Sequence, residues 1–303
     1  MQGEPTDAPR RPRPGSGETW HDPRVVLRDA GLRPKKRLGQ HFLIAEPIGR
    51  AIAAACVPED EVGRAHVVEV GSGTGALSRL LAARARSLVT IEHDRGLASL
   101  LERELADSGA RVVDADALEV DIGALFDAVQ DGPRVLCGNL PYAITGPLLR
   151  RSIECAERVE RVVFMMQREV AERLDATPGT KSWGALTVFV RAAYDTRRLM
   201  RVGPGAFHPP PEVASTVVEL IPRHPRRADE TPRFRSLVRH AFGTRRKTLR
   251  NAWAGVVEDR NVLARAADDA RISLDARGET LDVEDFARMA AALDGTPGAQ
   301  PSG

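Results

Sequence analysis

The chain has 303 residues, 42% of them hydrophobic and 28% charged, with a formal net charge of +2, enough to bury one large core or two smaller ones. No run of eighteen apolar residues occurs, and the Pro-, Gly- and Arg-rich start has no apolar stretch; both argue against a membrane span or a secretory signal and leave the cytoplasm as the expected compartment. Cys56, Cys137 and Cys155 share no C-x-x-C spacing and the seven histidines form no H-x-x-x-H pair, so reduced thiols and no metal are expected.

Residues 1–22 read as a disordered extension and 295–303 as a disordered tail. From Glu46 the pattern alternates: a helix over EPIGRAIAAACV, a strand from His66 to Val70, a helix from Ala76 to Arg84, a strand from Ser87 to Glu92, and a helix from Arg95 to Ala106. A short strand at Arg111 to Val113, a strand entering NLPY, a helix from Thr145 and a strand from Arg161 to Met166 complete the series. Strands alternating with helices predict an α/β fold, a mostly parallel sheet wrapped on both faces. Such sheets bind ligands beyond the C-terminal ends of their strands. After Gly184 come a helix and two β-rich runs, Thr196 to Val202 and Ser215 to Ile221, around the stiff loop GPGAFHPPPEV. This places the main domain at 23–224 and a small helical domain at 225–294. In the last helix Asp282 can cap, and Val283, Phe286, Ala290 and Leu293 recur on one side.

Three strand ends in a row carry polar chemistry. In VVEVGSGTGALSRLL a β-branched strand delivers Gly71, Gly73 and Gly75 into a turn before a helix, where the backbone can approach a ligand and free N–H groups can meet it. The next strand ends at Glu92, 21 residues after Gly71, where a carboxylate can accept from both hydroxyls of a ribose. Asp116 follows the third strand and can take the amino group of an adenine ring. Taken singly, a structural turn or an exposed cap explains each; together they point to a nucleoside cofactor.

The fourth strand, Arg134 to Cys137, stops at Gly138 and turns through Asn139, Leu140, Pro141 and Tyr142. A planar exocyclic amine is a poor nucleophile because its lone pair is delocalised into the ring. If the Asn139 side-chain oxygen and the carbonyl of Leu140 or Pro141 accept its two N–H bonds, the nitrogen can pyramidalise and aim its lone pair at an electrophilic methyl. Proline fixes φ and removes a competing donor. Tyr142 offers a face for the base to stack on.

Basic residues cluster at Lys35, Lys36 and Arg37 and, with a local excess of eight, between Arg223 and Arg250, where Arg245, Arg246, Lys247 and Arg250 stand in GTRRKTLRN. Such clusters suit a phosphate backbone; a solvated helix face is the plainer alternative.

Read in order, RPKKRLGQHFL (33–43), VEVGSGTGALS, IEHD, DAL and GNLPY resemble the ribosomal RNA adenine N6-dimethyltransferases over about residues 22–294. The segments PGTKSWGALTV, PGAFHPPPEVASTVVELIPR and AFGTRRKTLRN look most like the small-subunit (KsgA) type. The resemblance implies a Rossmann-like methyltransferase sheet with a small C-terminal helical domain and S-adenosylmethionine as cofactor. His41, Leu43, Gly71, Glu92, Asp116 and Asn139 would line the cofactor site, with Glu69 orienting the loop; Asn139, Leu140 and Tyr142 would hold the target amine, and Phe207 would cover the other face of the base, a buried Phe bracing the proline-rich loop being the alternative. The implied substrate is a pair of adjacent adenines near the 3′ end of small-subunit (16S) rRNA, modified during subunit assembly; nothing in the sequence demands more than a monomer. Ala143 and Ala214 depart from the family pattern, at positions without proposed chemistry. The erythromycin-resistance methyltransferases share every N-terminal motif but modify large-subunit (23S) rRNA, and an assembly factor with secondary or no methylation is the rival of another class.

Overall fold

A computed structural model describes residues 19–244 and 246–295. The expected extension through residue 18, the tail from 296 and the candidate Arg245 lie outside the described residues. The chain divides into two compact units: one runs through Gln167 and includes Leu199–Glu219, and the other joins Arg168–Arg198 to the chain from Leu220.

The first element, α1 (Pro23–Asp29), is one for which periodicity predicts nothing. Its signal is local: Asp22 accepts from the Arg24 N–H at 2.9 Å, and proline occupies the first helical position. Trp20 already packs against the core, three residues before the expected start of the domain. There follow β1 (Phe42–Leu43), α2 (Glu46–Cys56), β2 (His66–Val70), α3 (Ala76–Arg84), β3 (Ser87–Glu92) and α4 (Arg95–Glu104). Next come β4 (Arg111–Asp114), β5 (Arg134–Asn139), α5 (Thr145–Glu154), β6 (Arg161–Gln167), α6 (Arg168–Leu174) and α7 (Ala185–Ala193). β7 (Tyr194–Val202), β8 (Phe207–His208) and β9 (Ser215–Pro222) are the last strands.

Seven strands form one sheet in the order β4-β3-β2-β5-β6-β9-β7. From β4 to β6 all neighbours are parallel, and the chain order reverses between β2 and β5. That reversal opens a crevice at the C-terminal ends of β2 and β5, where the glycine loop and NLPY emerge. In β2 every residue from Val67 to Val70 is buried, as expected of a strand covered on both faces. Its neighbour β5 approaches so closely that a Cβ on Gly138 would lie 2.3 Å from the Val70 carbonyl oxygen, which explains the glycine before Asn139. Leu43, Ile52, Val67, Leu80, Leu81, Val135, Val163 and Val217 belong to the core beside these strands.

The proline-rich loop contains a strand that its composition hides. Within it β8 pairs antiparallel with β1, Leu43 opposite Phe207 and Phe42 opposite His208. The GQHFL segment is thereby joined to residues more than 160 positions later.

The second unit contains α8 (Pro232–Gly243), α9 (Leu249–Trp253), α10 (Arg260–Asp269) and α11 (Val283–Asp294). Asp282 caps α11 in a reciprocal capping box with Asp285, and Val283, Phe286, Ala290 and Leu293 are buried as the spacing predicts. This compact unit takes in more chain than 225–294, because α7 shares its core. Phe189 meets Phe234 edge-on at 6.2 Å, Phe234 and Trp253 meet Phe286 in the same way, and the Trp183 indole donates to the Leu281 carbonyl at 3.0 Å.

Candidate active site

Gly71, Gly73 and Gly75 follow β2 with φ of +71°, +59° and +80°, a left-handed path that L side chains rarely adopt. The loop is held from two sides. Beneath it Glu69, 2% exposed, accepts from the Ser78 hydroxyl at 2.5 Å. Burial raises the Glu69 carboxyl to about 7, partly offset by its hydroxyl partners. Beside it the Glu92 carboxylate accepts from the Gly73 N–H and the Asp94 N–H, both at 2.9 Å. Burial pushes Glu92 above the usual carboxylate range too.

Glu69, Gly71, Gly73 and Glu92 border a cavity of about 270 Å³ that is also lined by Arg37, Gln40, His41, Leu43, Asp116, Asn139, Leu140, Pro141 and Tyr142. All of them come from the first unit, and with Gly71, Gly73, Glu69 and Glu92 they comprise nearly every residue expected at the cofactor and the amine. Gly75 stands apart as the N-cap position of α3. Asp116 uses one oxygen to accept from the Leu118 N–H at 2.9 Å, so it closes a turn as well as facing the cavity.

At the cavity edge the Asn139 amide has a defined orientation. Its Nδ2 donates to the His41 carbonyl at 3.0 Å, which leaves Oδ1 as the acceptor. Of the two carbonyls considered for the second acceptor, Pro141 is engaged, receiving the Ile144 N–H and the Thr145 hydroxyl at 3.1 Å each. The Leu140 N–H is fixed to the Met165 carbonyl at 2.9 Å, and among the described residues its own carbonyl receives no hydrogen bond. The His41 ring lies on Tyr142 with centroids 5.5 Å apart, its Nδ1 donates to the Pro209 carbonyl at 2.8 Å, and the Tyr142 hydroxyl bonds Ser215 Oγ at 2.9 Å.

Two expected roles change. Phe207 does not border the cavity; it is 3% exposed in the core beside Leu43, because the β1–β8 pairing turns both side chains inward. That placement fits the alternative of a buried ring bracing the loop. Lys35 does not present its charge freely to a phosphate, because its Nζ lies 2.7 Å from Asp94 Oδ2 and 2.8 Å from Oδ1. Lys36 and Arg37 are exposed, as are Arg246 and Lys247 in the other unit; Arg250, also exposed, pairs with Asp275 at 3.2 Å. The sequence reading overlooks Asp94, Gln40 and Ser215, although IEHD and GQHFL contain the first two.

Gly-loop amides, a ribose-competent carboxylate and an oriented amide around one cavity suit an adenosine-bearing cofactor and an exocyclic amine. The model of the ribosomal RNA adenine dimethylase family matches residues 31–294. The chain belongs to that family. Its members use S-adenosylmethionine, and the residues just described fit that cofactor. A ribosomal RNA small subunit methyltransferase A from Xanthomonas axonopodis pv. citri is 42% identical over 259 residues, 84% of this chain and 95% of the relative. A dimethyladenosine transferase from Plasmodium falciparum shares the fold, with a TM-score of 0.67 and 23% identity over 84% of this chain and 98% of its own. The 23S rRNA methyltransferase ErmE has a TM-score of 0.60 and 25% identity over 84% of this chain and 99% of its own. The protein is a methyltransferase with a Rossmann-like sheet. Among the described residues no helix is long and apolar enough to cross a membrane.

Proposed function

We propose that this protein transfers methyl groups from S-adenosylmethionine to N6 of two adjacent adenines near the 3′ end of small-subunit (16S) rRNA, as a cytoplasmic monomer acting during subunit assembly. The observation that carries the chemistry is the pair of acceptors at the end of β5: Asn139 Oδ1, oriented by the His41 carbonyl, and the Leu140 carbonyl, which receives no hydrogen bond among the described residues.

When bound, S-adenosylmethionine would supply an electrophilic sulfonium methyl, whose C–S bond breaks as the amine's C–N bond forms, with S-adenosylhomocysteine as the leaving group. Gly71 and Gly73 bring backbone close to the cofactor, and Glu92 accepts from its ribose. Asn139 Oδ1 and the Leu140 carbonyl accept the two N–H bonds of the target amine, so its lone pair turns out of the ring plane toward the methyl. Catalysis is then mainly positioning. After a first transfer one N–H remains, and either acceptor can hold it for the second. The methylated amine sheds its proton readily, so no strong general base is needed. Tyr142 supports the base, which must leave its stack to enter.

The helical unit, with Arg246, Lys247 and Arg250, would grip rRNA phosphates, together with Lys36 and Arg37. The 42%-identical relative supports the small-subunit target, as do GAFHPPPEV and RRKTLRN. The likeness to ErmE keeps large-subunit rRNA as the second reading. Incubation with labelled S-adenosylmethionine and undermethylated small or large subunits, followed by nucleoside analysis, separates them. Dimethyladenosine confined to large-subunit RNA would overturn the first reading.

A further inference from the structure

We propose that Asp94 is a positioning residue for the amine-holding turn: it clamps the 35–43 segment so that the His41 carbonyl orients the Asn139 amide. The proposal rests on the function proposed above and adds a residue that neither binds cofactor nor touches the target.

Asp94 is 5% exposed, yet its carboxylate collects donors from a distant segment as well as from the start of its own helix. Lys35 Nζ spans both oxygens at 2.7 and 2.8 Å, Gln40 Nε2 reaches Oδ2 at 3.1 Å, and the Gly96 N–H reaches Oδ1 at 3.0 Å. Gln40 also accepts from the Lys35 N–H through Oε1 at 2.8 Å, which ties the start of the segment to its middle. These charge-assisted bonds hold Asp94 below the usual carboxylate range despite its burial.

The stretch ahead of His41 needs such a hold. Its backbone bonds at Leu38 and Gly39 reach only Lys35 and Lys36 and close a local turn, whereas Phe42 and Leu43 are already held by the β1–β8 pairing and the His41 ring by the Pro209 carbonyl. The next residue after Gln40 is His41, whose carbonyl receives Asn139 Nδ2 and whose ring lies on Tyr142. An asparagine amide turned by 180° exchanges oxygen for nitrogen and would present donors to an amine that needs acceptors. The His41 carbonyl selects the useful orientation, and Asp94 keeps that carbonyl in place. On its other side the Asp94 N–H donates to Glu92, so one residue joins the ribose-binding carboxylate to the acceptor turn.

A helix cap is the simpler role, since Asp94 stands at the N-cap of α4. Asp94→Ser separates the two, because serine caps well but is too short to reach Lys35 and Gln40. In the full-length protein, hydrogen exchange should speed up at amides 38–42 and at those of Asn139, Leu140 and Tyr142 in Asp94→Ser, with little change along α4. With labelled S-adenosylmethionine and undermethylated small subunits, kcat should fall about tenfold or more while the KM for subunits stays within about twofold. Lys35→Met should lower kcat less, and the double variant should be no worse than Asp94→Ser, since both changes break one clamp. Unchanged exchange at 38–42, an unchanged kcat, or additive losses would overturn the clamp. The exchange measurement needs no RNA, so it judges the clamp even if the methyl acceptor is another RNA.

Discussion

The Asn139 side chain donates from Nδ2 to the backbone carbonyl of His41 at 3.0 Å, across 98 residues of sequence. This single bond turns an amide of ambiguous orientation into a directed acceptor beside the Leu140 carbonyl. Removing it tests the central chemistry. Asn139→Ala should lower kcat for methyl transfer by about 10²- to 10³-fold, the scale seen when one oriented polar group is lost from an active site. RNA affinity, measured by filter binding, should stay within a few-fold. Full activity in this variant would remove Asn139 from the mechanism.

Phe207 makes the opposite forecast. Its ring is buried in the core beside Leu43, so Phe207→Ala should cost about 3–5 kcal/mol of stability, seen as a lower denaturation midpoint. Phe207→Leu refills most of that space and should retain methyl transfer. If the leucine variant stays folded and loses activity, the ring acts on the base after all.

Burial holds the Glu69 carboxyl at about 7 in the folded chain, against a usual 4.5. Between those values the folded state keeps a proton that the unfolded state has released. The folded form therefore loses stability as pH rises from about 5 through 7. Glu69→Gln cannot ionise, so its melting temperature relative to wild type should be higher at pH 8 than at pH 5. Parallel melting curves across that range would show that Glu69 ionises normally in the fold.

Arg246 and Lys247 are exposed in the helical unit. If they meet phosphates, reversing both to Glu should weaken subunit binding and lower the slope of log affinity against log salt by about one to two. The affinity for S-adenosylmethionine, measured by calorimetry, should not change. An unaltered slope would return the cluster to a solvated helix face.

The alternation of β-branched runs and amphipathic helices was enough to predict the parallel sheet, because interior strands and one-sided helices leave short periods in the sequence. The cap and buried stripe of α11 were legible for the same reason, since Asp282, Phe286 and Leu293 act within a few turns of one another. That Gly71, Gly73, Glu92, Asp116 and NLPY share one crevice was also legible, because each sits at a strand end and the sheet topology places strand ends together. Local patterns could not show which donors meet which acceptors across the fold. The β1–β8 pairing sent Phe207 into the core, Asp94 claimed Lys35, and the Pro141 carbonyl was used up by Ile144 and Thr145. The sequence by itself determined the chemistry available at each strand end. Only the tertiary structure decided which of those groups remain unbonded and face the cavity, because a hydrogen bond is specified by positions in space that distant segments jointly define.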